Sequence, residues 1–184
     1  DRVILKRHCD VALNDDDSVL ELAFLNSHFQ TGLKNVLDRA ILQDQEIHRL
    51  PTNDYSKVDE IPFDFSRKMM SVVVSMPPGK HRLICKGAPE SVFDRCRQFE
   101  LEGEIYPMDQ LLIGDLKEEY DQLSADGFRV LALAYRDLSP KPAYNKDDEH
   151  DLILKGYLAF LDPPKETAAT AMAAMLNVTE PNMT

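Results

Sequence analysis

The residues of this chain that could do chemistry are cations beside small or aromatic residues, not nucleophiles beside bases. Lys86-Gly87-Ala88-Pro89-Glu90 sets a lysine at the end of an apolar run, then a glycine, a small residue and Pro-Glu. A glycine has no Cβ, so a flat ligand can come close to the backbone there. Proline suits the first position of a helix and an acid suits its first turn, so the pattern predicts a helix from Pro89 to Cys96 whose positive end faces the same place. Phe65 stands just ahead of Ser66-Arg67-Lys68, an aromatic platform followed by two cations. A purine can stack on such a ring while Lys68 or Arg67 meets phosphate oxygens. The plainer reading, with Phe65 in the core and the two cations in a solvated turn, accounts for these residues equally well. Arg129 heads a strongly apolar run, where a guanidinium needs either an exit to solvent or an anion such as phosphate.

Other chemistries lack their residues. There is no GxxxxGK[ST] loop, no GxSxG elbow and neither an HRD nor a DFG triplet. Five scattered histidines lack metal-ligand spacing, and no metal site is expected. Cys9, Cys85 and Cys96 form no CxxC pair, which reads as reduced cytosolic thiols, two of them in or near the core. The acidic groups Asp15-Asp16-Asp17, Glu102 with Glu104, and Asp147-Asp148-Glu149 read as solvated turns. These residues describe a nucleotide-binding module with no catalytic residue of its own.

The elements that must position them follow from periodicity and punctuation. Met70 to Ser75 and Arg82 to Lys86 flank Pro77-Pro78-Gly79, which predicts a hairpin delivering Lys86 to its end. Val58 to Phe65 reads as an irregular edge strand around Pro62. Ser18 with Glu21 forms a capping box for a helix to His28, and helical spacing of Leu33, Val36, Leu37, Ala40 and Ile41 predicts a second over Thr31 to Leu42. Gln43 to Ser56 reads as a loop. A helix capped by Asp109 ends at Gly127, and buried strands follow over Phe128–Arg136 and Asp151–Phe160. Short strands are expected at Val3–Leu5 and within Phe99–Tyr106, and an Ala-rich helix over Thr167–Leu176. The fold class is α+β: a mainly antiparallel central sheet of about six strands flanked by helices.

The 184 residues suffice for one domain with a real core, and 43% apolar against 29% charged residues reads as soluble and globular. No run approaches a membrane span, so no direct membrane contact is expected. The net charge of −11 argues against nucleic acid as a partner; a few clustered cations can still hold a single nucleotide. The chain does not begin with Met and opens in an apolar run, which reads as an excised piece.

Four stretches in order resemble one family. Lys86-Gly87-Ala88-Pro89-Glu90 matches the KGAPE motif of the cytosolic nucleotide-binding domain of P-type cation-transporting ATPases. Phe65-Ser66-Arg67-Lys68 resembles its adenine-stacking aromatic and nearby lysine, although the two stand closer together here than in the calcium pumps. Phe128 to Ala134 is similar to its arginine-led apolar strand, and Phe160 to Thr167 to its DPP segment. Leu25 to Asn35, Ile61 to Phe65 and Gly156 to Lys165 look most like the bacterial magnesium-transporting branch. The resemblance implies ATP, as MgATP, with adenine on Phe65, Lys86 with Gly87 and Ala88 at the base of the pocket, and Lys68 and Arg129 toward the phosphates. Gln30 falls where many relatives carry a glutamate near the adenine, and an amide can still accept a hydrogen bond. It further implies a domain at 1–160, return into a phosphorylation domain over 161–184, and phosphorylation and actuator domains of the same chain as partners at the inner face of a cell membrane. The aspartyl-phosphate motif is not among these residues, so the fragment is expected to bind without turnover. The alternative is a non-catalytic interaction domain that keeps the fold without using the pocket.

Overall fold

The computed structural model describes residues 2–32, 34–48 and 53–162, with backbone only for 45–48 and 110–113. The helix expected over Thr167–Leu176, and all but the first two residues of the expected 161–184 segment, lie outside these residues.

The hairpin at the centre of the fold is β3 (Met69–Met76) and β4 (Lys80–Gly87), paired antiparallel from Met69–Gly87 to Met76–Lys80. β3 is buried through Val74 and β4 from Leu83 onward, as expected of strands covered on both faces. β2 (Ser56–Asp64) forms the edge beside β3, with two register irregularities of the kind Pro62 and the mixed pattern predict. β7 (Arg129–Leu138) pairs with β4, and β8 (Leu152–Leu161) pairs with β7. The far edge of β8 is shared. Its first residues run parallel to β5 (Cys96–Leu101), and its last pair antiparallel with β1 (Ile4–Cys9). β6 (Glu104–Pro107) closes the order β2-β3-β4-β7-β8-β5-β6.

Among the described residues the sheet is therefore eight-stranded, not about six-stranded, and mixed through the parallel β5–β8 pairing. The short strands expected at Val3–Leu5 and within Phe99–Tyr106 are present as β1, β5 and β6, and all of them join the one sheet, which takes it past six.

Helices cover both faces. α1 (Asp17–Phe29) and α2 (Val36–His48) enclose a core with Val72, Val74, Ile84, Leu133 and Phe160. On the opposite face α3 (Pro89–Phe93) and α4 (Gln110–Ala125) pack over Val73, Leu83, Cys85, Leu154 and Tyr157. α2 begins five residues later than periodicity predicts. Asn35 and Asp38 form a reciprocal cap there, Asp38 N–H donating to Asn35 Oδ1 at 2.9 Å and Asn35 N–H to Asp38 Oδ2 at 3.2 Å. α2 then runs to His48 through part of the expected loop. α3 ends at Phe93 instead of Cys96, because Arg95 N–H closes a tight turn on Val92 O and β5 takes up the chain.

Candidate functional site

A cavity of about 360 Å³ opens where β3, β4 and β7 meet on the face covered by α1 and α2. Register explains the location. Met70 lies opposite Lys86 and Lys86 opposite Leu133, so the end of β4 presents Lys86 to the helical layer where that layer thins. The walls are largely apolar: Leu37, Phe63, Met70, Ala88, Pro89, Val130 and Leu131. Gln30, Asn35, Asp38, Lys68 and Lys86 supply the polar edges.

Lys86 is buried at the inner end, its ammonium donating to Asp38 Oδ1 at 2.6 Å and to Ser27 Oγ at 2.9 Å. Asp38 is buried too and has two roles: Oδ2 caps α2, while Oδ1 accepts from both Lys86 and Ser27. Burial draws the Lys86 ammonium below the ordinary lysine value; Asp38 opposes that and Lys34 adds to it. Burial pushes the Asp38 carboxyl up, but Lys86, Ser27 and the Asn35 N–H together outweigh it and hold the group below the ordinary aspartate range. An ammonium has three donors, so two are committed within the protein and one is left for a ligand. Toward a ligand this end of the cavity acts as a hydrogen-bond donor more than as a free charge.

The mouth is built by the turn between β2 and β3. Lys68 is exposed and lines the cavity, and its backbone sits at φ +58°, a left-handed conformation. Its carbonyl accepts from Ala88 N–H at 3.0 Å, tying the turn to the end of β4. Gly87 is needed for that approach: a Cβ there would lie 2.4 Å from the Lys68 carbonyl oxygen. The space expected to admit a flat ligand beside Gly87 is thus filled by the protein's own backbone, although Gly87 and Ala88 still line the cavity. Gln30 caps the end of α1 and also lines it; the Lys34 ammonium donates to Gln30 O at 3.0 Å and Ser27 O at 2.6 Å. This is a cation satisfying carbonyls at a helix C-terminus.

Two expected residues lie elsewhere. Phe65 is 86% exposed and is not among the lining residues; it follows the last residue of β2 and packs edge-to-face on Phe63, 5.3 Å away, which does line the cavity. Phe63 sits within the strand and Phe65 in the turn beyond it, which accounts for the short spacing between Phe65 and Lys68. Arg129 is half exposed and pairs with Asp162 at 3.3 Å, while its neighbours Val130 and Leu131 form the wall. Arg67 does not face the cavity but is bound to Glu149, Asp64 and two backbone carbonyls. Glu149, expected on a solvated turn, is completely buried. Phe63, Asp38 and Ser27 were missed. For Phe63 the signal was that spacing; for the other two, distant pairing with Lys86, no sequence signal existed.

An antiparallel-rich sheet with helices on both faces and a cavity at its strand ends, apolar-walled and edged by an aromatic ring and two lysines, defines an α+β domain with a small-molecule-sized cavity. The sequence profile of the P-type ATPase cytoplasmic domain N family matches residues 6–167. The chain belongs to that family. It is 46% identical over 178 residues to a magnesium-transporting P-type ATPase of Escherichia coli K12, covering 95% of this chain and 20% of that protein. A magnesium-transporting P-type ATPase of Salmonella typhimurium LT2 is 44% identical over the same length, and a calcium-transporting ATPase of Listeria monocytogenes is 38% identical over 108 residues, 58% of this chain and 12% of that protein. The chain thus spans about a fifth of the length of the magnesium-transporting relatives. Among the described residues no helix is long and apolar enough to cross a membrane.

Proposed function

We propose that this chain binds ATP, as MgATP, and holds it for phosphoryl transfer to an aspartate in an adjacent domain of a cation pump, with magnesium as the cation carried. The observation that carries the binding reading is the cavity: about 360 Å³, apolar on its walls, with an aromatic ring at one side, a buried donor at its inner end and an exposed ammonium at its mouth. A volume near the low end of small-molecule sites, roughly 300–1,000 Å³, suits a nucleoside with its phosphates directed outward. Phe63 flanks the base, Lys86 offers its remaining N–H at the inner end, and Gln30 supplies an amide at the edge. Lys68 meets the phosphates at the mouth, and Arg129 lies beyond the wall where a tail leaving the cavity would pass.

ATP supplies the phosphoryl group, and the chain's residues orient it and screen its charge, as phosphoryl transfer requires of a protein. Among the described residues no group of three or more His, Cys, Asp or Glu could hold a metal ion. In this reading the magnesium therefore rides on the phosphates, which is its usual mode. The magnesium cargo rests on the printed names of the E. coli and Salmonella relatives.

The test is an ATP titration followed by backbone amide shifts and by calorimetry. Saturable binding with shifts gathered at Phe63, Lys68, Lys86 and Gly87 is expected. F63A should weaken binding by about 1–3 kcal/mol, the worth of base–aromatic stacking, and F65A by clearly less. Absent or scattered shifts would favour an interaction domain that leaves the pocket idle.

A further inference from the structure

The turn that forms the cavity mouth is closed by its own hydrogen bonds, Lys68 N–H to Asp64 O at 2.6 Å and Ser66 N–H to Asp64 Oδ1 at 2.8 Å, and is braced further by residues far along the chain. Lys68 carries a side chain at φ +58°, a conformation that persists only where the surroundings impose it. The Arg67 guanidinium braces both flanks of the turn: its Nη2 donates to Pro62 O at 3.1 Å before it and to Met69 O at 3.2 Å after it, and its Nη1 donates to Asp64 Oδ2 at 3.3 Å. Arg67 is in turn gripped by Glu149, 82 positions later, with Nε–Oε1 at 2.8 Å and Nη2–Oε2 at 3.4 Å. Glu149 has no exposed surface; it also accepts from Ser71 Oγ at 2.6 Å, and its backbone carbonyl accepts from Arg95 at 3.1 Å. A buried ion pair is a poor stabiliser compared with apolar packing of the same volume. Stability alone therefore does not explain a carboxylate here. What an apolar pair could not do is donate hydrogen bonds to the carbonyls on both sides of a turn while a carboxylate grips the Nε–Nη2 edge of the same planar group.

We propose that Glu149 is a positioning residue for the nucleotide site: through Arg67 it fixes the turn that aims Lys68 and Phe63 at the bound nucleotide. This rests on the ATP reading above. Glu149 touches no ligand in this arrangement, and the cavity lining does not include it.

Charge makes the test decisive. Removing a carboxylate near a polyanion's site would by itself tighten binding. Misplacing the turn would weaken it. E149Q is therefore expected to bind ATP about tenfold more weakly by calorimetry, the size of a typical coupling between residues in one network. R67K, which keeps the charge and loses the fork, should weaken it similarly. Because Glu149 acts through the turn, K68A/E149Q should lose less than the product of the two single losses. The amides of residues 64–69 should shift in E149Q without nucleotide, while those of β7 and β8 away from residue 149 stay put. Unchanged or tighter ATP binding in folded E149Q, or losses that simply multiply, would overturn the role of Glu149. Failure of the unmodified chain to bind ATP would instead overturn the nucleotide reading. Should E149Q fail to fold by circular dichroism, S71A, which removes one hydrogen bond from the same carboxylate, is read in its place. About a threefold weakening supports the proposal and no change overturns it.

Discussion

Lys86 shows how much a residue's partners decide what it can do. Its sequence context reads as a strand-end cation at the base of a nucleotide pocket, where Lys86→Ala would remove one charge-assisted ligand contact. In the structure the same substitution also strands Asp38, 1% exposed, without its counter-ion. Losing one partner of a buried pair costs about 3–5 kcal/mol. K86A is therefore expected to lower stability by about that amount in urea unfolding, besides any loss of ATP affinity, and D38N/K86M to recover most of it. The acid limb follows from the direction of the Asp38 shift. Its folded value lies below the ordinary 3.8, so its contribution is present above that value and is lost as pH falls through the folded one. Unfolding free energy measured from about pH 6 down to about pH 3 should fall less steeply in D38N/K86M than in the unmodified chain, because the variant has no carboxylate there to protonate.

At the scale of elements, two of the described glycines stand where another backbone comes too close for a Cβ. Gly87 leaves room for the Lys68 carbonyl, and Gly156 leaves room for the Cys9 carbonyl, 2.1 Å from where a Cβ would stand. Gly156 lies where β8 passes from its pairing with β5 to its pairing with β1, so a side chain there would push β1 off the sheet. G156A is expected to cost about 1–3 kcal/mol or more in unfolding free energy, with hydrogen-exchange protection lost first in β1. Gly127 illustrates the legible case: placed after a helical run, it reads as a terminator, and it stands at φ +92° just past α4. Starts and ends both shifted where the cap or stop lay outside local pattern: α3 and α4 start where Pro89 and Asp109 predict, but α2 starts late and runs past Leu42, and α3 stops short of Cys96. α2 begins where Asn35 and Asp38 cap one another, and α1 is capped not by Ser18 with Glu21, as expected, but by Asp16, whose Oδ1 accepts from Ser18 N–H at 2.9 Å.

Over the whole molecule, the core on the α3–α4 face of the sheet encloses all three thiols. Cys9, Cys85 and Cys96 come from β1, β4 and β5, and each is buried. Burial pushes Cys9 up to about 11 and Cys85 to about 12, and raises Cys96 further. Only thiolate reacts, so a thiol reagent at neutral pH should label none of them in the native state, with labelling rates following global unfolding as denaturant is raised. Rapid labelling of any one without denaturant would show that part of the sheet opening on its own. The sequence by itself determined the hairpin, the apolar strands, the helix ends at Gly127 and the motif order that marks the family, because these depend on residues adjacent in the chain. Only the tertiary structure decided that Phe63 and not Phe65 edges the cavity, that Lys86 is held by Asp38, and that Glu149 lies buried against Arg67. Those outcomes depend on strand register and on pairs dozens of residues apart, and a charged side chain's neighbours are set by which backbones meet, something local pattern does not encode.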